Sequence, residues 1–463
     1  MLKRIMCSVV LVPLAVVCIA ASAVGQDGVP AYQNLRFNED WSQFPEEGTG
    51  SVFDAIKKIE LSDDIWVSLG GEVRTRGEAW SNFGFSETND DMYLLYRTFL
   101  HADFHIGDNW RVFVEGKFSG LTDRDLPGGR RANLDADEGD IWNTFVEARY
   151  PLGDLDATFR VGRQELQLGK QRLISPLDWA NTRRIFDGAL VNLKEADAGW
   201  NLSMFATVPV VLERKSFNKG NNHLAFSGAY FTKSLSGDRL KGFDAYGLAL
   251  NSFNDASFDT NRYTLGGRLW GKWSDNVSWE VEGAYQFGDV EGADIEAFMF
   301  SEEVTYTFND HAKKPWVAVG VDVASGDDDP TDGDSETFNQ LFPLGHAYLG
   351  FIDVVGRQNI IDLHGTAGVW AVPKKFRLRS DLHFFWLADD NDALYHAGGG
   401  VVRPGNGSDS QVGTELDLTA LAKVNKHTNV LLGWSHFFPG TFIDKTGPDE
   451  DIDFFYTQVG FDF

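Results

Sequence analysis

Cysteine is nearly missing from this 463-residue chain: Cys7 and Cys18, its only two, lie close to the start. The rest of the sequence therefore has no disulfide framework, no thiolate metal cage and no cysteine nucleophile. Beyond residue 23 there is also no apolar run of about 18 residues, which excludes a membrane-spanning helix. Neither G-x-S-x-G nor H-E-x-x-H occurs, and the 10 histidines are scattered, so no hydrolase site or metal cage is indicated. Positive charge is scarce too. Against 68 Asp and Glu stand 41 Lys and Arg, a formal charge of −27, and nucleic acid is not an expected partner.

What is present begins with an export signal. Lys3 and Arg4 precede the apolar stretch from Met6 to Ala20, and Ala21-Ser22-Ala23 is an A-x-A cleavage site. Residues 1–23 are predicted to be removed, leaving a mature chain from Val24. A lipoprotein signal needs a small residue before its cysteine, and Val17 precedes Cys18. Residues 24–62 show no regular period and read as an N-terminal periplasmic lead, too short for the plug domain of a TonB-dependent receptor.

From residue 63 to 463 apolar and polar residues alternate. Ile65, Val67, Leu69 and Val73 interleave with Ser68, Glu72, Arg74 and Arg76; Trp110, Val112, Val114 and Phe118 interleave with Arg111, Glu115 and Lys117. The chain closes on "FFYTQVGFDF", whose Phe455, Thr457, Val459, Phe461 and Phe463 share one face. A period of two is a strand signal, and a terminal strand ending on Phe resembles the sorting strand of outer-membrane barrels. About 18 strands are predicted, joined alternately by short connections and long ones such as 120–139, 169–184, 325–355 and 389–411. Short turns join antiparallel neighbours, and only a closed sheet satisfies its edges in lipid. The fold class expected is all-β: a transmembrane antiparallel up-and-down β-barrel of the bacterial outer membrane. Trp66, Trp80, Trp110, Tyr150, Trp270, Trp316 and Trp386 fall near strand ends and fit interfacial girdles.

On such a barrel the polar face is the lumen face, because a lipid-facing Arg or Lys at mid-bilayer costs about 2–4 kcal/mol. Parity then turns Arg74, Arg97, Arg268 and Arg379 inward, among acids such as Glu72, Asp103, Glu147, Asp381, Glu415 and Asp417. A mixed-sign, paired wall explains any one of these without a transport role. One stretch stands out: "RVGRQELQLGKQRLISPLDWANTRRIFDG", residues 160–188, with Arg160, Arg163, Lys170, Arg172, Arg183 and Arg184. Its start reads as a strand; from Lys170 to Arg184, with Pro176 inside, it reads as a loop. Folded inward, that loop makes a cationic constriction, which is how a pore selects anions.

This stretch resembles the signature region of the alginate-export family of outer-membrane channels. "LGGEVRTRGE", "YRTFLHADF", "FNQLFPLGHAYLGFIDVVGRQNIIDL" and the terminal strand are also similar to segments of that family. The resemblance covers roughly residue 60 to the end. It implies an eighteen-stranded, monomeric barrel whose arginine-lined lumen passes negatively charged polysaccharide, aided by periplasmic export partners. By position it implies roles for Arg74, Arg97, Arg163, Arg172, Arg184 and Asp187. The pore-lining candidates are these with Arg160, Arg183, Arg268 and Arg379.

Two other readings use different chemistry: an anion-selective porin for small solutes on the same barrel, and an outer-membrane enzyme. No cofactor is expected. In "SGDDDPTDGDSE", Asp327, Asp329 and Asp332 are candidate calcium ligands in an external loop, but Pro330 falls where an EF-hand needs a ligand, and a solvated loop is the favoured reading.

Overall fold

The computed structural model describes residues 30–463 except positions 46, 132 and 254–257; the proposed signal over residues 1–23 lies outside the described residues. Eighteen long strands run up and down in chain order. They are β1 (Ile65–Ser81), β2 (Asp91–Ile106), β3 (Trp110–Leu121), β4 (Asp137–Leu152), β5 (Leu155–Gln164), β6 (Phe186–Glu195), β7 (Trp200–Val211), β8 (Leu224–Ser234) and β9 (Leu240–Ser252). There follow β10 (Thr260–Lys272), β11 (Val277–Val290), β12 (Ala293–Thr307), β13 (Trp316–Ala324), β14 (Ile360–Val372), β15 (Phe376–Trp386), β16 (Gln411–Lys423), β17 (Thr428–Pro439) and β18 (Ile452–Asp462). Their number is the one expected from the sequence.

β18 returns to pair antiparallel with β1, closing the barrel without an open edge. The seam ends on Phe463, whose N–H donates to Gly71 O at 3.0 Å while the Gly71 N–H donates to Phe463 O at 2.8 Å. A β-carbon on Gly71 would stand 2.3 Å from Phe99 O and 2.9 Å from the Phe463 ring, so glycine is what lets three strands meet there.

Alternation sorts the two faces as expected. Leu100, Val161, Leu265, Val319 and Phe455 point outward and are exposed, the apolar band that meets lipid. Glu72, Arg74, Arg97, Arg111, Glu147, Arg268, Asp381 and Asp417 point inward and are buried or nearly so. The aromatic girdle is less complete than expected. Trp110, Tyr150 and Trp386 take outward parity, but Trp66, Trp80 and Trp270 take inward parity; Trp80 is buried and stacks on Phe454 at 3.8 Å.

The connections at one end are short, the periplasmic arrangement of such barrels. At the other end most are long, with a break in the pattern: β11 and β12 are joined by Glu291 and Gly292 alone, both at positive φ (51° and 85°), the conformation a two-residue hairpin turn demands.

The long connections fold into the barrel rather than away from it. Phe85, Leu126, Leu166, Ile174, Phe338, Leu349, Ile352, Val355, Leu394, Phe442 and Ile443, all from connections, join inward strand residues such as Phe186, Phe226, Phe385, Phe437 and Phe454 in one apolar core. Each large side chain buried this way contributes about 1.5–3 kcal/mol. The external half of the lumen is therefore packed.

In the N-terminal segment, residues 34–37 enter the barrel, where Phe37 packs edge-on against Phe113 and Phe145 at 5.9 and 5.3 Å. Ile59–Ser62 forms a short strand paired to the start of β1.

Candidate transport lumen

The connection 165–185 is the element that narrows the lumen, and arginines of the wall hold it there. Arg74 Nη1 donates to Asp178 O at 2.6 Å, and its Nη2 donates to Trp179 O and Ala180 O at 3.3 and 3.1 Å. Arg97 donates to Asp178 O and Ala180 O, both at 3.0 Å, and its Nη2 reaches Glu72 Oε1 and Asp178 Oδ1, both at 2.7 Å. These arginines sit opposite each other in register on β1 and β2. Two residues along β1, Arg76 donates to Trp179 O at 2.7 Å and lies 3.8 Å from the centre of the Trp179 ring. Three guanidiniums thus grip the backbone of residues 178–180, supplying donors to carbonyls that would otherwise be buried without partners.

The far half of the connection is fixed as firmly. Asn181 Nδ2 donates to Gly120 O and Asp135 O at 3.0 and 2.9 Å, and Lys117 donates to Thr182 O at 2.8 Å. Arg183 Nε lies 2.7 Å from Glu165, and Arg172 reaches across the barrel to Glu280 and Glu282 at 2.8 and 2.9 Å. Gln171, Leu177 and Arg183 hold positive φ (65°, 54° and 61°), strain that a loop tolerates only when its surroundings fix it.

A second connection, 325–359, packs against the first. Trp179 stacks on His346 at 3.8 Å, His346 on Phe351 at 4.6 Å, and Ile174 bridges to Phe342. Arg36 of the N-terminal segment pairs with Glu39, Glu72 and Asp462, Arg111 donates to Phe37 O at 2.8 Å, and Arg183 donates to Asn34 O at 3.1 Å. The segment therefore links the barrel wall to the inward loop.

Charge in this region is balanced by contact. Burial opposes the Asp178 carboxylate, but Arg97, Arg183 and Arg74 more than offset it and hold its pKa far below the usual carboxylate range. Burial likewise opposes the Arg172 cation, which Asp322 and Glu282 restore to above its ordinary value. Arg184 has carbonyl partners instead, Ser175 O and Pro343 O at 3.2 and 3.3 Å, and burial lowers its pKa to about 10.

Of the other predicted residues, Arg160 pairs with Glu147 at 2.8 Å, Arg268 with Asp244 and Glu280 at 2.8 and 2.7 Å, and Arg379 with Asp381 at 2.7 Å, all on the lumen face. Arg163 and Asp187 do not face the lumen. They pair with each other at 2.7 Å and share the parity of the lipid-facing Phe159 and Val161, near the external rim where the 212–223 connection supplies Asn218 O. Unbroken register through Gly162 and Gly188 sets that outward parity. Arg36 and Trp179 were not anticipated. Nothing periodic marks them, although Pro176 and the flanking polar residues did mark the loop that carries Trp179.

The opposite wall has another character. Asp322, Asp362, Asp381, Glu415 and Asp417, from β13 to β16, are all buried. The predicted scatter of histidines also fails here, because hairpin register sets His364 of β14 against His383 of β15. Both ring Nδ1 atoms meet Asp362 Oδ2, at 3.0 and 2.9 Å. In the external acidic run, the oxygens of Asp327, Asp328 and Glu336 lie within 4.8 Å of one another. Asp329 and Asp332 instead accept N–H groups of their own turns, from Thr331 at 3.1 Å and Asp334 at 2.8 Å.

A closed eighteen-stranded barrel with an apolar outer band and a charged, loop-constricted lumen is an outer-membrane channel. Residues 65–456 match the model of the Alginate export family, and the chain belongs to that family. No curated protein sequence matches it. Among solved structures it is similar to OccD3 (OpdP) of Pseudomonas aeruginosa, with 13% identity and a TM-score of 0.56 over 85% of this chain and 91% of that one. OccAB2 of Acinetobacter baumannii is similar at 11% identity and a TM-score of 0.57, over 85% and 98% of the two chains. The outer membrane protein opdK of Pseudomonas aeruginosa is similar at 11% identity and 0.56, over 86% and 99%. At such identities the likeness concerns the fold.

Proposed function

We propose that this channel, acting as a single chain, passes acidic polysaccharide of the uronate type through its lumen, with the 165–185 loop as the constriction. The observation that carries the reading is the grip of Arg74, Arg76 and Arg97 on the carbonyls of residues 178–180. A carboxylate is a stronger acceptor for a guanidinium than a neutral carbonyl, and it fits the planar fork bidentately. An arriving uronate chain competes with the loop for the same donors, so the ligand and the loop exchange places on the arginines. Arg172, Arg183 and Arg184 lie on the loop itself, and Arg160, Arg268 and Arg379 continue the cationic groups along the wall. Serial sites that exchange a loop carbonyl or a wall carboxylate for a passing uronate suit conduction, since tight sites would trap the polymer.

A second reading, a porin for small organic anions, is favoured by one observation: the packed apolar core in the external half of the lumen. Planar-bilayer recording separates the two. For polymer passage, the wild type prefers anions, and uronate oligomers block the current at about millimolar levels while neutral oligosaccharides of equal length do not. The block weakens with salt as the Debye length falls from about 10 Å at 0.1 M to about 3 Å at 1 M. Equal block by monomeric uronate and by oligomer supports the small-anion reading; a preference for cations overturns both.

A further inference from the structure

We infer that Asp362, His364 and His383 form a binding site for one divalent transition-metal ion of the zinc type in the lumen wall, between β14 and β15. The three donor atoms, Asp362 Oδ2 and the two Nδ1 atoms, converge from adjacent strands and lie within 4.8 Å of one another. The Oδ2–Nδ1 separations, 3.0 and 2.9 Å, are close to the edge of about 3.3 Å that ligands at about 2.0–2.1 Å from a tetrahedral ion would have. With the two Nδ1 atoms brought to a similar spacing from each other, the ion fits among the three donors.

Three observations point to a cation here. First, Asp362 is fully buried and its second oxygen, Oδ1, has no hydrogen-bond partner, although it belongs to the carboxylate that both imidazoles address. Second, buried carboxylates outnumber the basic groups around the two rings. Register sets Asp322 directly opposite Asp362, and Asp381 directly opposite Asp417. Arg357 pairs with Asp322 and Arg379 with Asp381. No Lys or Arg among the described residues makes an ion pair with Asp362, Glu415 or Asp417. Buried carboxylates in that number must take up protons or a cation, because a lone buried charge is costly. Third, the fold makes room for the rings. A β-carbon on Gly320 would stand 2.3 Å from His364 Nε2, so only glycine at that position of β13 lets the imidazole lie where it does.

The donor set decides the metal class. Two imidazoles and one carboxylate suit Zn2+, Ni2+ or Cu2+ rather than Mg2+ or Ca2+, which take oxygen. The partial exposure of the His364 side chain, 11%, gives the ion a route in from the lumen. Bound there, the metal would join two neighbouring strands beside Glu415, which accepts the Ile352 N–H of the inward 325–359 connection at 2.8 Å.

The test uses untagged mature protein, refolded in detergent and stripped with chelator. Titration with Co2+ should give the intense visible d–d bands of a four-coordinate ion at one equivalent, and Zn2+ should displace it. His364→Ala with His383→Ala should weaken binding by at least about a hundredfold, while Asp327→Asn with Glu336→Gln, in the external acidic run, should leave it unchanged. Heat-modifiable migration on gels reports whether each variant folds. Should the histidine variant not fold, X-ray absorption of the zinc-loaded wild type decides, since it counts imidazoles directly. Two histidine rings per zinc sustain the site. Absent Co2+ bands in folded wild type, full binding by the folded double histidine variant, or a zinc shell without two imidazoles would each overturn it.

Discussion

The two walls of the lumen use charge in opposite ways. On β1 to β5 arginines are abundant, and every one described above is engaged: Arg97 with Glu72 and Asp178, Arg111 with Asp103, Arg160 with Glu147, Arg74 with backbone carbonyls. On β13 to β16 carboxylates outnumber guanidiniums, and Glu415 and Asp417 are buried and make no ion pair among the described residues. The first wall is organised around holding a loop, the second around an unsettled surplus of negative charge. A formal charge of −27 describes neither. What matters for a passing ion is which charges are already engaged, and by what.

The comparison predicts substitutions of opposite sign. The largest effect is expected from Arg97→Ala, which takes the closest cation from Glu72 and from Asp178 of the loop and leaves them to Arg36 and Arg183. Removing one partner of a buried pair costs about 3–5 kcal/mol, and thermal unfolding in detergent should register it, with protease cleavage newly appearing between residues 165 and 185. Trp179→Ala comes next. It removes the ring between Arg76 and His346 and should cost about 3 kcal/mol. The check is single-channel recording, where current noise should rise as the 165–185 and 325–359 connections lose their contact. On the other wall, Asp417→Asn removes a charge that has no counter-ion. In chelator-treated protein it should be neutral or stabilising by about 1–2 kcal/mol in thermal melts; a loss as large as that of Arg97→Ala would erase the contrast between the walls.

The smallest effect concerns the N-terminal segment. Lys57 is buried, donates to Leu69 O at 3.2 Å, and burial lowers its pKa to about 8 from 10.5. Below about pH 8 the docked segment carries a buried charge. Between there and 10.5 the undocked state binds more protons than the docked one, so docking strengthens as pH rises through that window. Hydrogen exchange of residues 33–58 should slow from pH 7 to pH 10 once corrected for intrinsic rates, and Lys57→Met should abolish the difference.

Much of this was legible in the sequence because a strand's period of two states directly which side chains face the lumen. Arg74, Arg97, Arg268 and Arg379 were placed on the correct face by parity alone, and the alternating stretches gave the number of strands. Outward parity stops meaning lipid where strands end. Arg163 sits one residue before the last of β5, and there the outward side meets another connection instead of lipid, so a charge is tolerated. Period also says nothing about who meets whom across strands. His364 and His383 are neighbours only because the β14–β15 turn sets their register. The N-terminal segment left no mark at all, since Arg36 and Phe37 are held by partners more than 30 residues away, Glu72 and Phe113 among them.

The two-residue turn at Glu291 and Gly292 gives the external mouth an uneven profile. Around most of the circumference the wall is topped by connections that lean over the lumen, such as 122–136, 165–185, 325–359 and 387–410. Between β11 and β12 there is only the turn, and the wall ends where the strands end. The doorway therefore has a low sill on one side. The mouth is least covered above that turn.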